Sequence, residues 1–151
     1  MKFTDKQGNL FELPKDEYIF AHCIAADLKW CGGIAPILIV KEFDAEKKCR
    51  YQEDGGKVME KLNVGESFIV DCDKGVIANL ITKEGTYDKP TYETVTASLE
   101  DLRDYMEDYG YGKLALPHIG CGIDGLQWEV MKYIIQGVFA ETDIEIDCRY
   151  F

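Results

Sequence analysis

Histidine is nearly missing from this 151-residue chain, which has only His22 and His118. Neither stands among metal-motif partners, and no two of the six cysteines (Cys23, Cys31, Cys49, Cys72, Cys121, Cys148) have the CxxC spacing of a zinc site. No metal and no cofactor are therefore expected. Positive charge is also scarce, since 17 Lys and Arg against 28 Asp and Glu leave a net charge of −11. A surface of that sign repels nucleic-acid phosphates and argues against a duplex as partner. No apolar run approaches the ~20 residues that span a bilayer, so no membrane association is expected. The opening MKFTDKQGNLFELPKDE lacks an apolar signal core, from which free thiols and a cytoplasmic location are expected. Without a linker, repeat or low-complexity stretch, residues 1–151 read as a single domain. No exposed apolar stripe forces assembly, so a monomer is expected.

What is present is a regular alternation of strand and helix signals. Met1 to Leu13 reads as two short strand pieces around the turn dipeptide Gly8-Asn9. Tyr18 to Ile24 is an almost unbroken apolar run, too short for a helix, and reads as a strand buried on both faces. Ile34 to Phe43 reads as a helix with Pro36 in its first turn. Asp44 to Gly65 reads as a surface loop around Gly55-Gly56, with a short helix from Lys57 to Leu62. Glu66 to Cys72 and Val76 to Thr82 read as paired strands joined through Asp73-Lys74-Gly75. Tyr92, Val95, Leu99, Leu102, Met106 and Tyr109 recur at helical steps from Thr91 and stop at Gly110, which predicts one buried stripe. Lys113 to Pro117 reads as a strand, Gln127 to Ala140 as a helix and Asp143 to Phe151 as a last strand. The pattern predicts an α/β domain layered around a mixed sheet.

Two glycine loops, at residues 31–33 and 120–122, each lie between a strand and a helix. Such turns let backbone N–H groups meet an anion without Cβ obstruction, and in an α/β sheet they gather on one edge. The spacing is neither the dinucleotide GxGxxG nor the Walker pattern. Lys83 ends an apolar strand, where desolvation of its amine would favour nucleophilic chemistry and nearby carboxylates would oppose it. A lysine snorkelling from a strand end is the plainer reading of the same residue. Asp124 through Gln127 fits a capping box with Asp124 at the N-cap, a structural role that competes with a chemical one. Cys121 is not expected to be a nucleophile, because neither histidine has a context that marks it as a base; both histidines read as structural. Tyr87 and Tyr92 are candidates for stacking on a base or ribose, with Tyr92 also claimed by the helix stripe.

Three segments, AHCIAADLKWCGGIA (21–35), NLITKEGTYDKPTYE (79–93) and LPHIGCGIDGLQW (116–128), resemble the signature segments of the macro domain, an ADP-ribose-binding fold. The resemblance runs from Gly8 to about Thr142 and is nearest to the branch that removes ADP-ribose from glutamate side chains, which also includes ADP-ribose phosphatases. It implies a three-layer αβα domain with a central mixed sheet. It also implies a pocket for ADP-ribose or an ADP-ribosylated protein. The implied ligand-binding positions are Asn9 and Leu10, Cys23 and Ile24, the first loop from Cys31 through Gly32, Gly33 and Ile34 to Ala35, then Thr82, and the second loop from Ile119 through Gly120, Cys121 and Gly122 to Ile123. Lys83 corresponds to the lysine that attacks the anomeric carbon of the distal ribose to form a covalent intermediate, and Asp124 to its acid–base partner.

Three positions depart from the family pattern. Asn9 stands where an adenine-binding aspartate is common, Cys31 where the loop has its first glycine, and Ala25 where relatives carry a short polar side chain. The expected activity is a metal-independent ADP-ribosyl hydrolase. A non-catalytic ADP-ribose binding module and a phosphatase acting on phosphorylated ADP-ribose remain the alternatives.

Overall fold

Strand β2 (Ile19–Ala25) buries six of its seven residues, as a strand covered on both faces must. In the computed structural model, which describes residues 1–30, 32–49 and 62–150, β2 is central in a six-stranded sheet. The other strands are β1 (Lys2–Gln7), β3 (Ser67–Cys72), β4 (Gly75–Lys83), β5 (Lys113–Leu116) and β6 (Glu145–Tyr150), and the spatial order is β1-β6-β5-β2-β4-β3. Every neighbouring pair is parallel except the β3–β4 hairpin. Alternate residues of β2 feed two separate cores. Phe20 and Ile24 pack with Leu38, Ile39 and Cys49 on one face, and Ile19 and Ala21 pack with Leu99, Leu102, Met131 and Ile135 on the other. The second face is covered by helices α2 (Tyr92–Tyr109) and α3 (Trp128–Phe139). The first is covered by a π-helix (Pro36–Glu42) and the single turn α1 (Glu46–Cys49). This is the expected three-layer αβα arrangement.

Local chemistry explains the element ends. Thr91 Oγ1 accepts from Thr94 N at 3.2 Å, and Thr94 Oγ1 accepts from Thr91 N at 3.1 Å, a reciprocal cap that starts α2. Val95, Leu99, Leu102 and Met106 are fully buried as the stripe predicts, whereas Tyr109 is 70% exposed and Tyr92 half-buried. Tyr109 lies on the last turn and packs instead against Tyr105, 4.7 Å away, on the surface. Cys72 pairs with Gly75, leaving Asp73 and Lys74 as the hairpin turn.

Two other expectations are corrected. No second strand piece follows Gly8. Asn9 Oδ1 accepts from Phe11 N at 3.0 Å and caps a 3₁₀ turn, Leu10–Glu12, whose Leu10 is buried. Within the stretch read as loop from Asp44, buried Ala45 and Cys49 anchor α1 against the core. Gly55-Gly56 and the helix expected from Lys57 lie outside the described residues. The feature that matters for function is the run β5-β2-β4. These strands are parallel neighbours, so the chain leaves Leu116, Ala25 and Lys83 along one sheet edge.

The hairpin supplies a test of packing. A Cβ on Gly75 would stand 2.5 Å from Lys15 O and 3.1 Å from Phe43 Cε1, with φ at +151°. Gly75→Ala is expected to lower unfolding free energy by about 2–4 kcal/mol in urea titration, since clash and backbone strain act together.

Candidate functional site

The shared edge of β5, β2 and β4 opens into a cavity of about 340 Å³, a size suited to a small molecule. On its wall Lys83 Nζ donates to Asp124 Oδ1 at 2.8 Å, and the two side chains are only 12% and 14% exposed. Lys83 arrives as the last residue of β4. Asp124 arrives on a loop closed by Gly125 N to Gly122 O at 3.1 Å and Leu126 N to Gly120 O at 2.8 Å. Gly125 takes the left-handed conformation, φ +76°, that this turn demands.

That turn overturns the capping box expected at Asp124. It consumes the residues between Asp124 and the helix, so the N-cap of α3 is Gln127, whose side chain makes no capping bond. Gln127 N instead donates to Tyr92 Oη at 3.1 Å. The Asp124 carboxylate is thereby left to face Lys83.

The cavity gathers Lys83 and Asp124 with Cys23, Ile24, Gly32, Gly33, Ile34, Ala35, Ile119, Gly120, Gly122 and Ile123. At Gly33 and Gly122 a Cβ would meet nothing within 4 Å, so both loops present unobstructed backbone. Four expected binding positions do not line it. Asn9 Oδ1 is engaged in capping, and Leu10 is buried in the core. Thr82 is fully buried on β4, its carbonyl accepting from Thr94 Oγ1 at 2.7 Å. Cys121 turns its thiol to Ile119 O at 3.2 Å, and burial pushes that thiol up to about 11, far from a ready nucleophile. Cys31 lies outside the described residues.

The cavity also takes in Tyr87, one of the two stacking candidates, and residues outside the expected binding positions: His22, Ala25, Trp30, Thr86, Pro117 and His118. Trp30 commits its indole N–H to Cys49 O at 2.8 Å. His22 is fully buried opposite Asn79 on β4, with Nε2 and Asn79 Oδ1 2.6 Å apart. Asn79 donates through Nδ2 to Phe68 O at 3.0 Å, so its Oδ1 accepts and His22 Nε2 carries the proton. His22 Nδ1 is then a buried acceptor with no partner among the described residues. Burial holds this imidazole down to about 4, against a small opposing effect of the Asn79 bond.

His118 is fixed from the far strand. Its Nε2 lies 2.8 Å from Asp5 Oδ1, Trp128 Nε1 donates to Asp5 Oδ2 at 3.0 Å, and the His118 and Trp128 rings stack at 3.7 Å. Burial by itself would raise the Asp5 carboxyl, but the bonds from His118 and Trp128 outweigh it and hold the group below the ordinary carboxylate value. The Cys23 thiol is pushed up to about 12, by burial first and then by the Asp124 charge, which leaves it inert. Among the described residues no three or more His, Cys, Asp or Glu side chains converge as a metal site requires.

No family model matches the chain. It is 38% identical over 149 residues to ADP-ribose glycohydrolase OARD1 of Homo sapiens, covering 96% of this chain and 89% of that protein. Its fold resembles the macrodomain of Mycobacterium tuberculosis DarG, with TM-score 0.78, 20% identity and coverage of 99% and 98% of the two chains. It also resembles Thermosipho africanus DarTG in complex with ADP-ribose, with TM-score 0.73, 15% identity and coverage of 97% of this chain and 42% of that one.

Neutral His22 makes stability depend on pH. The unfolded imidazole takes its proton near 6.5 and the folded one only near 4, so the contribution is complete above about pH 6.5 and is lost as pH falls toward 4. Between pH 7.5 and pH 5 this group should remove about 2 kcal/mol from the unfolding free energy. Urea titrations at the two pH values measure it, and the non-titrating variant His22→Gln should show a correspondingly smaller difference.

Proposed function

The chain belongs to the macro-domain family, and on that premise we propose that it is an ADP-ribosyl hydrolase acting on glutamate-linked ADP-ribose, with Lys83 as nucleophile and Asp124 as its proton partner. The observation that carries this reading is the Lys83–Asp124 contact of 2.8 Å inside the cavity between the two glycine loops. Backbone N–H groups of the loops suit the diphosphate, because oriented dipoles attract an anion locally even in a molecule of net charge −11. The sugar then extends toward the end of β4.

The chemistry follows from the pair. Lys83 Nζ passes a proton to Asp124 and attacks the anomeric carbon of the distal ribose. The N–C bond forms as the bond from that carbon to the glutamate oxygen breaks, and glutamate departs as a carboxylate that needs no proton. Water then displaces the amine from the sugar and gives one proton to solvent, while Asp124 returns its proton to Lys83. Splitting the reaction at a covalent intermediate replaces one difficult displacement by two easier ones. Developing charge at the anomeric centre is shared by the ring oxygen, so no metal is required by this scheme.

Lys83→Ala is expected to reduce hydrolysis of an ADP-ribosylated glutamate protein by at least about 100-fold, and calorimetry should still detect binding of ADP-ribose. Acid quench of the wild-type reaction followed by mass spectrometry should find the adduct on Lys83. Phosphate release from phosphorylated ADP-ribose that persists in Lys83→Ala would contradict the nucleophilic role. Asp124→Asn keeps an oxygen for the Lys83 bond and disturbs no helix cap, so its turnover should fall by about 100-fold or more with little loss of stability, read by kinetics and thermal unfolding together.

A further inference from the structure

The segment after Lys83 is an arch standing on the reacting pair. One foot is Lys83 itself, bonded to Asp124. The other is Lys89, whose Nζ donates at 2.5 Å to the carbonyl of Ile123, the residue before Asp124. Between the feet, Gly85 N donates to Asp88 Oδ2 and Asp88 N to Gly85 O, each at 2.9 Å, closing a turn. The arch is also pinned from the β2 side: Asp27 accepts from Thr86 N at 2.8 Å and from Thr86 Oγ1 at 2.8 and 2.9 Å. Its backbone is therefore held at three points around the catalytic edge.

Tyr87 stands on this fixed backbone 90% exposed, with no hydrogen bond or ring contact among the described residues, yet it borders the cavity. Ile123, 70% exposed, borders the same mouth, with its Cδ1 only 3.5 Å from where a Cβ on Gly32 would be. What sets these two large side chains apart from other exposed ones such as Tyr133 is that they border the same cavity, where a partner entering it would meet them. The position of the arch says what that partner is. It rises from Lys83, the amine that meets the anomeric carbon, so the group nearest Tyr87 is the one bonded to that carbon and expelled during reaction. A cavity of about 340 Å³ holds a small molecule but not a polypeptide as well. The chain bearing the modification must cross the rim. The two rim lysines are already committed to Asp124 and to the Ile123 carbonyl, so contact there is chiefly apolar.

We infer that Tyr87, together with Ile123, binds the polypeptide that carries the ADP-ribose, and that the protein thereby favours protein-linked substrates over small ADP-ribose esters. The inference rests on the hydrolase reading above and assigns its leaving-group side. Tyr87 does not stack on the base in this arrangement, because it stands at the reacting end of the site.

The test compares wild type, Tyr87→Ala and Tyr87→Phe on two substrates that break the same bond: a peptide ADP-ribosylated on glutamate, and the acetate ester of ADP-ribose at the same carbon. Calorimetric Kd for ADP-ribose is the third readout. Tyr87→Ala should lower kcat/KM on the peptide about tenfold, through KM, because an aromatic anchor contributes binding uniformly to ground and transition states. It should leave the ester rate and the ADP-ribose Kd within about twofold, and Tyr87→Phe should match wild type on both substrates. An unchanged peptide rate, or an equal loss on ester and peptide, overturns the inference and leaves the hydrolase reading standing. A wild-type protein that cleaves neither substrate overturns both.

Discussion

Lys83 and Asp124 are 41 residues apart in the chain, and holding their charges 2.8 Å apart with little access to water carries a desolvation cost that only good geometry offsets. Neither residue can set that geometry alone. Lys83 is placed by β4, which is hydrogen-bonded on both sides, parallel to β2 and antiparallel to β3. Asp124 is placed by a glycine turn whose backbone closes on itself before α3 begins. The sheet therefore acts as a jig. Its central parallel strands bring two distant segments to one edge, and the short loops fix the last few ångströms.

The same edge is arranged so that other reactive groups stay quiet. Burial raises the thiols of Cys23 and Cys121 to about 12 and 11, so neither offers a thiolate at neutral pH. His22, lowered to about 4, is neutral and keeps its Nε2 proton on Asn79. Asp5 holds His118 in place from β1, on the side of β5 away from Lys83. Lys83 and Asp124 face one another on the cavity wall, beside two loops whose glycines leave backbone bare. Local dipoles can then hold an anion although the molecule as a whole is acidic.

Much of this was legible in sequence wherever the determining interactions are short-range. The apolar run of β2, the Asp73-Lys74-Gly75 turn and the Val95-Leu99-Leu102-Met106 stripe are set by neighbours within a few residues, and they stand where pattern places them. The place of Lys83 was legible through the apolar strand it ends. Asp124 was legible as a residue of interest but misread as a cap, because Gly125 inserts a left-handed turn that the capping-box spacing ignores. The turn at Gly8-Asn9 was legible, while the bond from Phe11 N that occupies Asn9 Oδ1 was not. The His118–Asp5–Trp128 cluster joins residues 113 and 123 positions apart, and no local pattern encodes such a meeting.

The capping box expected at Asp124 fails at the cavity edge, and a physical reason lies behind it. A core residue is chosen by its immediate packing, so its identity and periodicity carry the information. A residue at this edge answers to a surface that must stay partly open. Two buried polar atoms find no partner among the described residues: His22 Nδ1, on a residue that lines the cavity, and Thr82 Oγ1, on one that does not. An unsatisfied buried acceptor costs about 1–3 kcal/mol, a penalty that packing alone would remove by substitution. Local disagreement with the rules of stable folding is thus found both at His22, which lines the cavity, and at Thr82, within β4.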